Sequence, residues 1–375
     1  MYSFDDEESQ LSLPVHSLQG INLSSPSDDA SVEELSSSVD ERSIGPSPPP
    51  QVINVQHYLD NAMRVHSQPT TVTTHFLTST APADILFSGL LYAGFEPEVQ
   101  QRNNVGRNVD RFKSFYGVEP TTISPILQDL KDEYPDVSFK DSLMTMNWLY
   151  LYDTYPVLSG RWKYCEETIG SRVIDYGMKF ATIGRNKIVF YLKDDLELGR
   201  TVDCTTFMVY EMRQDPSHIW FDYKTHSCGL KYEIALAIHE PRIVWINGPF
   251  APSVHDINVF RGGDAGDKDN WDENALYSKL GKNEKCIADS GYNGQPDKCV
   301  VVNDGHSSEF KEFAARAKNR QETVNWCLKR FSILRQRFRH GVGTQDRMRL
   351  HKMVVEATAG IVQYDFKHGH PPFEV

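Results

Sequence analysis

Five short apolar runs punctuate the second half of the chain: Arg200–Asp203, Lys231–Ile238, Arg242–Asn247, Cys286–Asp289 and Cys299–Val302. Each has strand length and is rich in Val, Ile and Ala. A turn, Gly248-Pro-Phe-Ala-Pro, follows the third run, and a helical pattern runs through Val254–Arg261. A second helical stretch lies near Glu273–Leu280, and a long one follows the last strand. Read by period, the order is three strands, helix, strand, helix or loop, strand, helix. Upstream, from about Asn108 to Phe180, the pattern is helical. Val109–Tyr116 leads into Gly117-Val-Glu-Pro, and Thr121 or Thr122 is placed to cap a helix carrying Ile123, Ile126, Leu127 and Leu130. A second such unit runs through Pro156–Lys163 and Tyr164–Val173. Helix, glycine turn and capped helix make a helix-turn-helix-like signature.

Three acids stand out against this pattern. Asp203 closes the first run, Asp289 closes the fourth, and Glu322 lies in the final helix. Two carboxylates at strand ends and one on a helix can converge on a pair of divalent cations roughly 4 Å apart, a device for phosphodiester displacement. Hard ions such as Mg²⁺ or Mn²⁺ take carboxylate oxygens and water, so no His or Cys cluster is needed. The expected fold class is α/β: a ribonuclease-H-like mixed sheet, preceded by the helical region. On the last helix, Glu322, Asn325 and Lys329 share one face, while Val324, Leu328, Phe331 and Leu334 form an apolar stripe for the sheet. An ordinary amphipathic surface helix has the same look, and it is the company of the two aspartates that weighs against that reading.

From about Arg107 to Val375 the residues resemble a DDE-superfamily transposase of the Harbinger/IS5-like type. The matching segments are Val202-Asp203-Cys-Thr, Gly248–Arg261, Ala288–Gly294 and Arg320–Phe331. The resemblance implies that Asp203, Asp289 and Glu322 bind two Mg²⁺ or Mn²⁺ ions and are catalytic, with Asp256, Asn325 and Lys329 behind them. Many relatives have Gly after the first aspartate, where this chain has Cys204. It also implies double-stranded DNA as partner (transposon terminal repeats and target DNA), a homo-oligomer that joins two ends, a Myb-like DNA-binding protein as a further partner, and a nuclear location. If the helical segment is the family's helix-turn-helix, Arg161, Lys163, Arg172 and Lys179 meet DNA; otherwise it is a cap that only packs on the core. A domesticated transposase, binding DNA without cutting it, is the alternative, as is a ribonuclease-H-like nuclease without strand transfer.

Charge changes the picture in two places. The formal net charge is −12, yet residues 1–60 hold eleven acids and one base, Arg42. Between 311 and 352 the balance reverses, with twelve Lys and Arg against three acids. Arg330, Arg335, Arg337 and Arg339 belong to that basic run, which suits a phosphate backbone, although a solvated helix face reads the same way. Residues 1–55, rich in Ser, Pro, Asp and Glu, are expected to be disordered. The further expected divisions are a linker with short helices at 56–106, a helix-turn-helix-like domain at 107–185, and the catalytic domain at 186–375. No apolar stretch approaches membrane-span length, so no membrane partner is expected. The six cysteines have no zinc spacing and read as reduced thiols of an intracellular protein. The acidic loop from Asp264 to Glu273 lacks calcium-loop spacing, and no P-loop or dinucleotide fingerprint occurs.

Overall fold

The computed structural model describes residues 79–191, 198–213 and 215–375. The expected tail at 1–55 and the helix expected near residues 57–66 lie outside the described residues.

Among the described residues seven helices come first: α1 Pro82–Tyr92, α2 Pro97–Gln101, α3 Val105–Tyr116, α4 Pro120–Glu133, α5 Phe139–Leu151, α6 Tyr155–Trp162 and α7 Glu166–Lys187. Local chemistry sets several of their ends. The Asn104 side chain accepts from Arg107 N at the start of α3, and Gly117 closes it at φ 83°, a left-handed conformation that favours glycine. A Cβ on Gly117 would also lie 2.5 Å from the Tyr150 ring. The next helix starts earlier than the threonines suggest. Glu119 is its N-cap and Pro120 its first residue, a position where proline's missing N–H costs nothing. Thr122 is therefore inside α4, fully buried, and donates to Asp365 at 3.0 Å.

The sheet contains β1 Leu198–Met208, β2 Phe221–Asp222, β3 Ser227–Ala237, β4 Ile243–Phe250, β5 Lys285–Ala288 and β6 Cys299–Val301. Its strand order is β4-β3-β1-β5-β6, with β2 paired to the start of β3. Strand β3 is antiparallel to β1 and β4, whereas β1, β5 and β6 run parallel. This is a mixed α/β architecture with a ribonuclease-H-like core. Helices α8 Asp256–Arg261 and α9 Leu276–Lys279 separate β4 from β5, and α10 Ser308–Lys329, α11 Ser332–Arg335 and α12 Thr344–Lys367 follow β6.

Three boundaries differ from expectation. Asp203 does not close its strand, because β1 continues to Met208 through pairing with Gly229–Tyr232 of β3. The turn expected at Gly248 is part of β4, which is an edge strand where a proline removes no needed ladder bond. The helix carrying Glu322 ends at Lys329, so Phe331, the N-cap of α11, and Leu334 within α11 pack separately from it, both buried.

The two faces of the sheet bury different layers. Phe207, Leu230, Tyr232, Ile234 and Leu236 face the long helices in the largest apolar cluster, which continues through α1, α3, α4, α5 and α7. Val202, Ala235, Val244 and Cys286 face α8 and α9 in a second cluster with Phe260, Leu276 and Tyr292. The alternation of side chains along each strand makes this division. Helices α7 and α12 touch backbone to backbone: a Cβ on Gly184 would lie 2.6 Å from Glu356 O, and one on Gly360 would lie 2.5 Å from the Gly184 Cα.

Candidate active site

Parallel strands of an open sheet end together, and ligands favour the crevice at their carboxyl ends. Here β5 stops at Ala288, with Thr201 of β1 paired to Ile287. Asp289, the next residue out of β5, therefore comes level with Asp203 in the continuing β1. Asp289 is exposed and opens a one-turn helix, its Oδ1 accepting from Gly291 N at 2.8 Å.

Helix α10 crosses the face of β1 that carries Thr201 and Asp203. Thr201 Oγ1 donates to Gln321 Oε1 at 2.7 Å, and Gln321 Nε2 reaches Ile234 O at 3.2 Å. One turn on, Asn325 Nδ2 donates to Asp203 Oδ2 at 3.1 Å. Arg320, buried, donates to Ile238 O at 2.7 Å and also to Glu240 O. These three polar anchors fix Glu322, which is itself exposed on the free side of the helix. Trp326, 63% exposed, lies one further turn along.

Burial, then the Glu322 and Asp289 carboxylates, push the Asp203 carboxyl up to about 6, against the Asn325 hydrogen bond. Asp256 adds to the same push. It sits close to Asp289: a Cβ on Gly291 would lie 3.0 Å from Asp256 Oδ2 and 3.0 Å from Asp289 Oδ1. A larger residue there would crowd both carboxylates by a few tenths of an ångström. Lys231 Nζ bonds Asp256 Oδ1 at 2.7 Å and Val254 O at 2.6 Å, fixing Asp256 at the start of α8. Lys329 is half-buried; burial pulls its ammonium down, and Glu322 and Asp203 pull it back up.

The donors suit a hard cation in kind, all being carboxylate oxygens. The repulsion raising Asp203 is what a cation would relieve, and Asn325 Oδ1 beside it is buried without a partner. Among the described residues, no three His, Cys, Asp or Glu side chains already stand at metal-holding positions. The carboxylates are gathered at one end of the sheet but not drawn together.

Two residues matter here in ways the sequence reading did not assign. Arg261, buried at the end of α8, donates to Gln295 Oε1 at 2.8 Å and Gly294 O at 2.9 Å. It ties the segment after Asp289 to the helix that starts with Asp256. The signal was present, since both ends belong to the matched motifs, but their contact is not local. Cys204 points to the opposite face from Asp203, where its Sγ accepts from the Tyr292 hydroxyl at 3.3 Å. It does not intrude on the carboxylates.

The basic residues expected to meet DNA are placed unequally. Arg161 donates to Asn147 Oδ1 at 2.7 Å and pairs with Asp153 at 2.8 Å. Arg172 pairs with the buried Asp141 at 2.7 Å, Lys179 pairs with Asp175, and the Lys163 ammonium caps Gly160 O at 2.7 Å. Arg330 pairs with Asp365 at 3.0 Å, and Arg335 bonds Ser332 Oγ at 2.9 Å. Arg337 and Arg339 lie elsewhere, beside the end of β1.

All six cysteines are unpaired, and no described helix is long and apolar enough to cross a membrane. Comparison with curated proteins and with solved structures returned no match. Residues 202–363 match the family described as DDE superfamily endonuclease. That span opens beside Asp203 and includes Asp289, Glu322 and the helix that anchors them, and endonucleases of this type generally act on DNA with divalent metals. Over those residues the chain is similar to the DDE superfamily endonucleases.

Proposed function

We propose that the chain cuts double-stranded DNA at the Asp203, Asp289 and Glu322 site as a Harbinger/IS5-like transposase. It cuts at transposon ends, leaves a 3′-OH, and joins that end to target DNA. The observation that carries this reading is the half-buried Asp203 carboxyl, raised by burial and then by Glu322 and Asp289, and lying level with the end of β5. Asp203 and Asp289 would hold the cations from the sheet, and Glu322 would join them from α10. Asn325 orients Asp203, and Lys231 orients Asp256. Bound Mg²⁺ or Mn²⁺ would supply an activated water and neutralise the charge that grows at the phosphate. Trp326, exposed one turn from Glu322, offers a ring on which a base can stack.

Joining two DNA ends calls for a homo-oligomer, and the substrate calls for a nuclear location. A Myb-like partner belongs to the same reading. The test is incubation of the full chain with duplex DNA carrying the sequences that flank its gene, with Mg²⁺ or Mn²⁺. Metal-dependent cuts bearing 3′-OH ends, followed by joined products, are expected. Tight binding to that DNA without any cut under either metal would replace this reading with a non-catalytic DNA-binding protein.

A further inference from the structure

Beyond Asp203, β1 runs towards a groove of about 670 Å³ at its far end. The segment Arg337–His340 docks there through one parallel bridge at Phe338: Phe338 N donates to Met208 O at 2.9 Å, and Tyr210 N donates to Phe338 O at 3.2 Å. Phe338 is fully buried, so alternation turns Arg337 and Arg339 to the other side, along the groove. Arg347, from the first turn of α12, enters from a third segment, and Arg213 from the loop after β1.

The four guanidinium groups have no carboxylate partner among the described residues. Arg339 lies 3.8 Å over the Tyr152 ring and donates to Tyr152 O and Asp153 O, both at 2.7 Å. Arg347 donates to Tyr210 O and Glu211 O, both at 2.7 Å. Carbonyls fix these two groups in place but leave their charge unneutralised. The side chains of Arg213 and Arg337 make no hydrogen bond or ion pair among the described residues. Glu211 is the one acid that lines the groove, against four arginines and His226. This contrasts with Arg161, Arg172, Lys179 and Arg330, each already matched to an acid.

We infer that this groove holds the phosphate backbone of duplex DNA, away from the cutting site. Pre-oriented arginines without acids favour phosphate oxygens. Val209 lies six residues beyond Asp203 along the strand, or about 20 Å at roughly 3.3 Å per residue. At about 3.4 Å per base step, that places the phosphates in the groove roughly six base pairs from the scissile bond. The assignment rests on the nuclease reading for its substrate class, but it concerns binding and not cleavage.

The test measures anisotropy of a labelled 30-base-pair duplex with the full chain, without divalent metal, over a range of NaCl. Arg213 and Arg337 serve because neither side chain supports the fold through a bond. In the double variant R213A/R337A, the slope of log affinity against log salt should fall by about 1.8, or about 0.9 for each phosphate left without its arginine. Affinity at low salt should drop by on the order of tenfold or more, and R213K/R337K should recover most of it. A charge-matched variant on exposed residues elsewhere, R102A/K282A, should keep the wild-type slope. An unchanged slope in R213A/R337A, or an equal reduction in R102A/K282A, overturns the assignment. So does tighter DNA binding by R213A/R337A. A protein that binds through the groove yet never cuts leaves this inference standing and removes the nuclease reading. Cutting with an unaltered salt slope in R213A/R337A does the reverse.

Discussion

Asp203 and Glu233 are acids on adjacent strands of one sheet, a single step apart in register, and they have different fates. Asp203 pairs across to Ile234, while Glu233 pairs to Cys204. Alternation therefore sends them to opposite faces. Glu233 is completely buried; burial pushes its carboxyl up to about 8, and it accepts from Trp245 Nε1 at 3.0 Å. It behaves as a neutral core acid whose other oxygen has no partner. Asp203 is raised less, to about 6, and part of that rise comes from Glu322 and Asp289. Burial alone marks a core acid; burial shared with other carboxylates at an open strand end marks a site for cations.

The sharpest way to break this comparison is to neutralise each acid in turn. Asp203→Asn should lower cleavage on the order of 10³-fold, the scale seen when groups that stabilise transition-state charge are removed. Glu233→Gln should leave the cleavage rate near wild type. Equal reductions in the two variants would erase the distinction between the faces.

Stability separates them next. The Glu233 carboxyl, raised from its ordinary 4.5 to about 8, is kept neutral by the fold while the unfolded chain ionises. Its contribution is therefore fully present below pH 4.5 and is lost as pH rises through about 8. That change amounts to at most about 5 kcal/mol. Denaturant melts between pH 5 and 9 should show it in the wild type and much less of it in Glu233→Gln.

Asn325 tests whether the Asp203 environment is tuned. Its hydrogen bond lowers the Asp203 carboxyl, so Asn325→Ala should move that titration above about 6 in metal-free protein, read by carboxyl carbon shifts in NMR. Cleavage should fall by roughly tenfold, a typical cost of removing a group that orients a metal ligand. The smallest expected effect on activity is that of Cys204→Ser, which should cut as well as wild type. A large drop there would mean that the face opposite Asp203 also serves the reaction.

The order of strands and helices was legible because alternation and helical period are local. Asp203 and Asp289 stood out because each ends an apolar run of the sequence, and Glu322 because it shares a helical face with Asn325 and Lys329. What escaped depends on partners far along the chain. Strand β1 extends past Asp203 because β3 pairs with its second half, which no local run of residues records. Pro120 outranks two threonines as a helix start because Thr122 is drawn to Asp365 on α12. The basic residues were the hardest to rank: Arg172 and Asp141 are 31 positions apart, and the groove arginines come from three separate segments. A charge count cannot tell a neutralised arginine from a free one.

The most direct measurement of the central claim is nicking of a supercoiled duplex with rising Mn²⁺, run for the wild type, Asp203→Asn and Glu233→Gln side by side. Cutting that depends on Mn²⁺, survives in Glu233→Gln and disappears in Asp203→Asn is the predicted result. Equal cutting by Asp203→Asn, or cutting indifferent to metal, would contradict it.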